Sequence, residues 1–267
     1  MLHSRSISYL RSWTLFQPQL LPTVLLCVAC ATVGSRAYAD GLFGPNQDYE
    51  TGSSPFSVAS GDLNGDGRLD LVTANFSDST VSVLLGNGDG TFRARHDYRT
   101  GSYPSSVAVG DLNGDGRPDL VTADYHMVSV LLGNGDGTFG TKHDYATGWY
   151  PISVAIGDLN GDGRLDLVTA NHYDQTVSVL LGNGDGSFGT KHDYDTSDYP
   201  YCVAIGDVNG DGRLDLAVAD GFLNAVAVLL GTGDGTFETR HFYHTGHCPQ
   251  SVAIQRARVL IPTSSRC

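Results

Sequence analysis

The amino-acid sequence predicts an all-β fold, a β-propeller of four-stranded antiparallel blades, and three observations carry that prediction. Three short strings recur in a fixed order, four times over. They recur at steps of 49, 47 and 49 residues, and a period of about 40–50 residues is the mark of propellers and solenoids, each repeat being one supersecondary unit. No segment keeps a 3.6-residue apolar period, while alternating apolar stretches and glycine-rich turns divide every repeat into four short strands.

The third repeat shows the order of elements. Ser153–Gly157 alternates as strand one, and the first string, Asp158 to Asp166, follows as a loop. Leu167–Asn171 and Thr176–Leu181 read as strands two and three. The second string opens the glycine-rich turn Gly182–Gly186, and Phe188–Tyr194, which holds the third string His192-Asp193-Tyr194, reads as strand four. The second repeat is two residues shorter, and the deletion falls in the turn between strands two and three (Asp124–Met127 against Asn75–Thr80). Both ends hold partial repeats. Leu42–Gly52 matches the strand-four stretch Thr138–Gly148, and Cys248–Ile254 matches the start of strand one. Residues 40–254 therefore form the repeat region, and 255–267 are a divergent tail. Two arrangements fit these ends: a five-bladed ring whose closing blade takes strands from both termini, or a truncated seven-bladed propeller.

The first 39 residues read as a targeting segment. Arg5 and Arg11 precede an apolar run from Leu20 to Val33, and Ala37-Tyr38-Ala39 stands before Asp40, the order of a secretory signal cleaved near Ala39. The run is too short to favour a stable membrane span. Export to a secreted, periplasmic or cell-surface location is the expectation. The whole chain carries 29 acids against 16 Lys and Arg, net −13, and its first 39 residues hold three arginines and no acid. So acidic a chain repels phosphate backbones and anionic lipid, which argues against nucleic-acid binding. Cys202, Cys248 and Cys267 follow the signal; three cysteines allow one bridge at most and leave the pairing open.

The loop after strand one carries the chemistry. Asp62, Asn64, Asp66 and Asp70 stand at its positions 1, 3, 5 and 9, with Gly67 at position 6. Alternate oxygens in a tight loop suit a hard cation of six to eight oxygen ligands, calcium before zinc or copper. An EF-hand would need Glu at position 12, where Thr73, Thr122, Thr169 and Val218 stand. The motif D-x-N-x-D-G-x-x-D, four times between the first two strands of a repeat, resembles the FG-GAP and VCBS-type repeats of integrin-α-like β-propellers. That resemblance implies about one Ca2+ per full repeat. The implied ligands are Asp62, Asn64, Asp66, the Arg68 carbonyl and Asp70 in the first loop, and Asp111, Asn113, Asp115, Arg117 and Asp119 in the second. In the third they are Asp158, Asn160, Asp162, Arg164 and Asp166, and in the fourth Asp207, Asn209, Asp211, Arg213 and Asp215.

The other recurring residues read as structure. Asp89, Asp136, Asp185 and Asp234 offer one carboxylate per copy and read as turn residues. His96, His143, His192 and His241 lie in phase with the strand-four aromatics and are expected to pack with them. Asn75-Phe76-Ser77 is a glycosylation sequon, meaningful in a eukaryotic host. No nucleophile elbow, zinc-protease motif or P-loop is present, so no enzyme is expected. Up-and-down strands would place the calcium loops and glycine-rich turns on one face, and the variable loops on the other. Tyr103, Trp149, Tyr150, Tyr199 and Tyr201 lie in those variable loops after strand four, with Tyr125, His126, His172 and Tyr173 between strands two and three. Exposed aromatics on variable loops are suited to a partner. The expectation is a binding or adhesion module for an extracellular protein or glycan. Lectins built on similar repeats make a carbohydrate-binding propeller the alternative, and an accessory module of an extracellular enzyme a third.

Overall fold

Each repeat folds into one sheet whose four strands lie side by side in sequence order. The computed structural model describes residues 46–196, 198–255 and 258–260, and every strand lies in the unit that begins at Asp48. Blade 1 comprises β1 (Pro55–Gly61), β2 (Asp70–Asn75), β3 (Thr80–Leu84) and β4 (His96–Arg99). Blade 2 comprises β5 (Ser106–Gly110), β6 (Asp119–Ala123), β7 (Met127–Leu131) and β8 (His143–Ala146). Blade 3 comprises β9 (Pro151–Gly157), β10 (Asp166–Asn171), β11 (Thr176–Leu180) and β12 (His192–Asp195), and blade 4 β13 (Pro200–Gly206), β14 (Asp215–Asp220), β15 (Ala225–Leu229) and β16 (His241–His244). All pairings within blades are antiparallel. Strand four is shorter than its sequence pattern: Phe188 makes only an isolated bridge to Gly182, ahead of β12. Among the described residues no helix is long and apolar enough to cross a membrane.

The middle strands explain why the blades stack. β6, β10 and β14 are buried at every position, because a blade inside a stack is covered on both faces and its central strands need apolar residues on both sides. One apolar cluster joins blade 1 to blade 2, a second joins blade 2 to blade 3, and a third joins blade 3 to blade 4. The first strands β1, β5, β9 and β13 neighbour one another in turn. A serine hydroxyl on β1, β5 and β9 also accepts the next blade's amide: Ser57 Oγ from Val107 N at 3.2 Å, Ser106 Oγ from Val154 N at 3.3 Å and Ser153 Oγ from Val203 N at 3.2 Å. Gly206 ends β13 where an added Cβ would lie 2.7 Å from Ile254, so only glycine lets the following segment close on the blade.

The ends behave as partial blades. β17 (Ala253–Gln255) pairs with β18 (Arg258–Leu260), and Val252 and Ile254 cover blade 4 as a next first strand would. The tail thus keeps strand pairing for a few residues after its sequence leaves the repeat. At the other end the described part of Leu42–Gly52 forms no strand. Its Tyr49 ring nevertheless meets Phe92 edge-on at 5.1 Å, the contact that Tyr98, Tyr145 and Tyr194 make with Phe139, Phe188 and Phe237. Val58 on β1 is 37% exposed, whereas its counterparts Val107, Val154 and Val203 are 5–8% exposed. Among the described residues no preceding blade covers it, and closure of the ring is not found. Residues 1–39, expected to be a signal, and Cys267 lie outside the described residues; Cys248 is disulfide-bonded and Cys202 is a free thiol.

A buried polar relay crosses the first three blades, and the sequence motifs do not announce it. In blade 1 Asn75 accepts from Thr73 Oγ1 at 3.0 Å and donates Nδ2–H to Ser82 Oγ at 2.8 Å, and Ser82 donates to Asp97 at 2.7 Å. Thr169, Asn171, Ser178 and Asp193 repeat it in blade 3. Blade 4 replaces these positions by Val218, Asp220, Ala227 and Phe242, exchanging three polar members of the relay for apolar packing.

Candidate metal loops and an aromatic face

The loop between the first two strands is held by its own side chains. Asp62 accepts the amides of Asp66 and Gly67 at 3.0 and 2.8 Å, Asn64 accepts Asp66 N at 3.0 Å, and Asp66 accepts Arg68 N at 2.9 Å. Gly65 and Gly67, at φ +72° and +79°, supply the left-handed backbone that wraps the loop around these oxygens. Blades 2 and 3 repeat the pattern, while in blade 4 Asp207 takes Gly210 N in place of the amide at position 5. Arg164 pairs with Asp162 at 2.5 Å, and that hydrogen bond holds the exposed Asp162 carboxyl below its usual range. The donor set is entirely hard oxygen, which fits calcium. Among the described residues no three His, Cys, Asp or Glu side chains are gathered as a finished metal cluster; the carboxylates face loop amides instead.

The acid at position 9 stands apart from the other three. Asp70, Asp119, Asp166 and Asp215 have no exposed surface. Asp166 accepts Leu159 N with one oxygen and Gly182 N with the other, both at 2.8 Å. Asp70, Asp119 and Asp215 make the same two bonds. This carboxylate therefore ties the metal-type loop to the glycine-rich turn. Its clamp role depends on contacts 7 and 16 residues away, which the loop motif does not display. Burial pushes the carboxyls of Asp119 and Asp166 up, and repulsion from the acids at positions 1 and 5 adds to it. A cation in the loop would relieve that repulsion.

The remaining recurring residues divide. The turn aspartates act as expected: Asp89 accepts both the amide and the hydroxyl of Thr91, at 2.9 and 2.6 Å. The histidine expectation fails. His96, His143, His192 and His241 are all exposed, because strand four is the outer strand of each sheet and only its tyrosine reaches the next blade. Among the described residues His96 and His192 meet only their own Tyr98 and Tyr194, with tilted rings 4.8 Å apart. The sequon is closed in the folded chain, since Asn75 is fully buried and its amide is taken by Thr80 and Ser82.

The opposite face carries a continuous belt of rings. Phe56 stacks on Phe76 at 4.9 Å, and Phe76 meets Tyr103 at 5.1 Å. Tyr103 meets Tyr125, which touches both Trp149 and Tyr150. Tyr150 stacks on Tyr173 at 4.9 Å and meets His172, and His172 contacts Tyr199 and Tyr201 at 5.0 and 4.8 Å. Tyr199 reaches Phe222 at 6.1 Å. Tyr103, Trp149, Tyr173 and Tyr199 are exposed, while Tyr150 and Tyr201 are half-buried. Phe56, Phe76 and Phe222 extend the belt at both ends; their places at strand starts and in turns between strands two and three were the signal available in the sequence. Tyr103, Tyr150 and Tyr199 adopt φ of 58°, 56° and 56°, each directly before a proline. For bulky side chains that backbone is strained; Ser54 and Cys248 adopt it as well, before Pro55 and Pro249, so the turn belongs to each repeat boundary. Asp174 accepts Trp149 N at 2.7 Å and so pins one variable loop on the other.

A family model of an FG-GAP-like repeat matches residues 62–122, 111–169 and 162–218, more than half of the chain. The chain belongs to the FG-GAP-like repeat family. Among solved structures this FG-GAP-like protein resembles a lectin of Agrocybe aegerita described for its specific recognition of non-reducing terminal N-acetylglucosamine. That similarity has 29% identity and a TM-score of 0.52, over 68% of this chain and 50% of the lectin. It shares its fold with a chain of the BBS1N–ARL6DN complex, at 12% identity and TM-score 0.57, over 80% of this chain and 63% of that one. The chain thus spans about half to two thirds of the length of these neighbours. No curated protein matches it.

Proposed function

We propose that this FG-GAP-like protein is an exported, calcium-stabilised binding module that holds an extracellular glycan or protein on its aromatic face and performs no catalysis. The observation that carries the reading is the ring belt across four blades, with Phe56, Tyr103, Trp149, Tyr173, Tyr199 and Phe222 exposed along it. Aromatic rings with polar tips offer flat apolar area at low entropic cost, and they dominate interface energetics. The rings of the belt carry no charge, and the acids in its loops, Asp78, Asp174 and Asp198, disfavour an anionic partner. The 29% identity to a lectin favours a glycan. Calcium rests on the oxygen donors of the four loops, with Asp62, Asn64, Asp66 and Asp70 as the ligand set of the first, and export rests on the basic and apolar order before Asp40.

The test is glycan-array and pull-down binding by the native chain and by a Trp149→Ala, Tyr199→Ala double variant. Loss of binding in the variant, with calcium affinity unchanged, supports the face. Equal binding by both proteins refutes it. Turnover in a polysaccharide hydrolase or lyase screen would refute the non-catalytic reading.

A further inference from the structure

Blade 2 carries an acid where the buried relay needs a donor. In blades 1 and 3 an asparagine amide donates to the serine, which gives its single O–H to the outer aspartate. Asp124 takes the asparagine's place in blade 2. Its Oδ2 lies 2.6 Å from Ser129 Oγ, and the same Oγ lies 2.7 Å from Asp144 Oδ1. A hydroxyl has one proton and cannot donate to two carboxylates. One of the two contacts therefore needs a proton from the acid. Asp124 is fully buried, whereas Asp144 is exposed and ion-paired with Lys142, so the proton belongs on Asp124 Oδ2. The chain then runs Asp124 to Ser129 to Asp144, with the polarity of its sisters. Thr122 Oγ1 donates to Asp124 Oδ1 at 3.1 Å, and Gly101 N donates to Ser129 Oγ at 2.9 Å, as Gly52 N and Gly148 N do to Ser82 and Ser178.

We propose that in mildly acidic solution Asp124 is held as the neutral carboxylic acid in the folded protein, and that its ionisation towards neutral pH is a switch beneath the centre of the aromatic face. The second half rests on the reading of that face as the binding surface. Asp124 is the residue before Tyr125, and its own N–H closes the two-residue turn by bonding Met127 O at 2.8 Å. Tyr125 is the ring that joins Tyr103 to Trp149 and Tyr150. Ionisation sets two negative carboxylates across one hydroxyl and so loosens this turn. The charged and titratable groups around the site are Asp144 on β8 and Lys142 just before that strand, Arg99 and Asp78 across the crevice from blade 1, and Tyr125 and His126 in the turn.

Burial pushes the Asp124 carboxyl from its usual 3.8 up to about 6. Below 3.8 both folded and unfolded chains hold the proton. Between 3.8 and about 6 only the folded chain holds it, so stability falls as pH rises through this window and is level above it. The full loss corresponds to roughly a hundredfold in the folding equilibrium constant.

The test is urea unfolding of the full chain in saturating calcium from pH 4 to 8, comparing wild type with Asp124→Asn and Asn171→Asp. Loop carboxylates common to all three proteins cancel in the differences. We expect Asp124→Asn to match wild type near pH 4 and to exceed it by roughly a hundredfold above pH 6, and Asn171→Asp to acquire the pH loss in blade 3. A protonated-carboxyl infrared band at pH 5, lost in Asp124→Asn and at pH 8, is the direct readout. A wild-type to Asp124→Asn difference that stays constant with pH overturns the neutral acid, as does absence of the band. Trp149 emission should follow pH in wild type and not in Asp124→Asn. A flat emission alongside the stability difference overturns the link to the face and leaves the neutral acid standing.

Discussion

Replacing Asp166 with alanine tests whether the fourth acid of the loop is a clamp in its own right. Its two oxygens hold the amides of Leu159 and Gly182, both at 2.8 Å, in a site with no exposed surface. Each buried amide left without a partner costs about 1–3 kcal/mol, so two cost about 2–6 kcal/mol. Two effects reduce that sum. The buried carboxylate no longer has to be desolvated, which burial of Asp166 already penalises, and a water can enter the small polar cavity to satisfy one amide. A net loss of about 3 kcal/mol is the expectation. The assay is urea unfolding followed by circular dichroism and by Trp149, the one tryptophan among the described residues, measured in excess chelator so that metal binding does not contribute. Asp166→Asn keeps one acceptor oxygen but sets an NH2 against the other amide, so it should be destabilised to a similar or smaller degree. Asp185→Ala, in the exposed turn, should move the midpoint far less. If Asp166→Ala unfolds within 1 kcal/mol of wild type in chelator, the clamp argument is wrong and the acid serves metal alone.

Three further outcomes follow from the same contacts. Millimolar calcium should raise the thermal midpoint and chelator should lower it, since a ligand of the folded state stabilises by mass action; an identical midpoint in both, in metal-free protein, would remove calcium from the structure. Gly182→Ala should destabilise by about 2 kcal/mol or more, because its Cβ would stand 2.2 Å from the Leu165 carbonyl while the same residue's amide serves Asp166; native-like unfolding of this variant would show that the turn has slack. Expression in a glycosylating host should leave Asn75 unmodified in chains that fold before modification, because its amide is buried and bonded to Thr80 and Ser82, and a glycan found there by mass spectrometry on well-folded protein would contradict the packing.

The fold was legible because propeller blades are local. All four strands of a blade come from one repeat, each bonds to its sequence neighbour, and turn chemistry such as that of Gly182–Gly186 and Asp185 is written in adjacent residues. Oxygen-rich loops and aromatic variable loops were visible for the same reason. What the sequence could not decide was exposure on the outer strand. His96 and Tyr98 share a phase, yet only the tyrosine is drawn into the next blade's cluster, because alternation reports the side of a strand and not what lies opposite it. Nor could the motif show that Asp166 reaches an amide 16 residues on, or that Phe56, Phe76 and Phe222 complete a belt of rings begun by other blades. Asp124 looked like one letter changed from Asn75 and Asn171. Only the packed blade sets it against Ser129 and, through one hydroxyl, Asp144. Local pattern determined the blades; burial and contacts between distant residues, which depend on every neighbouring element at once, decided what each side chain faces.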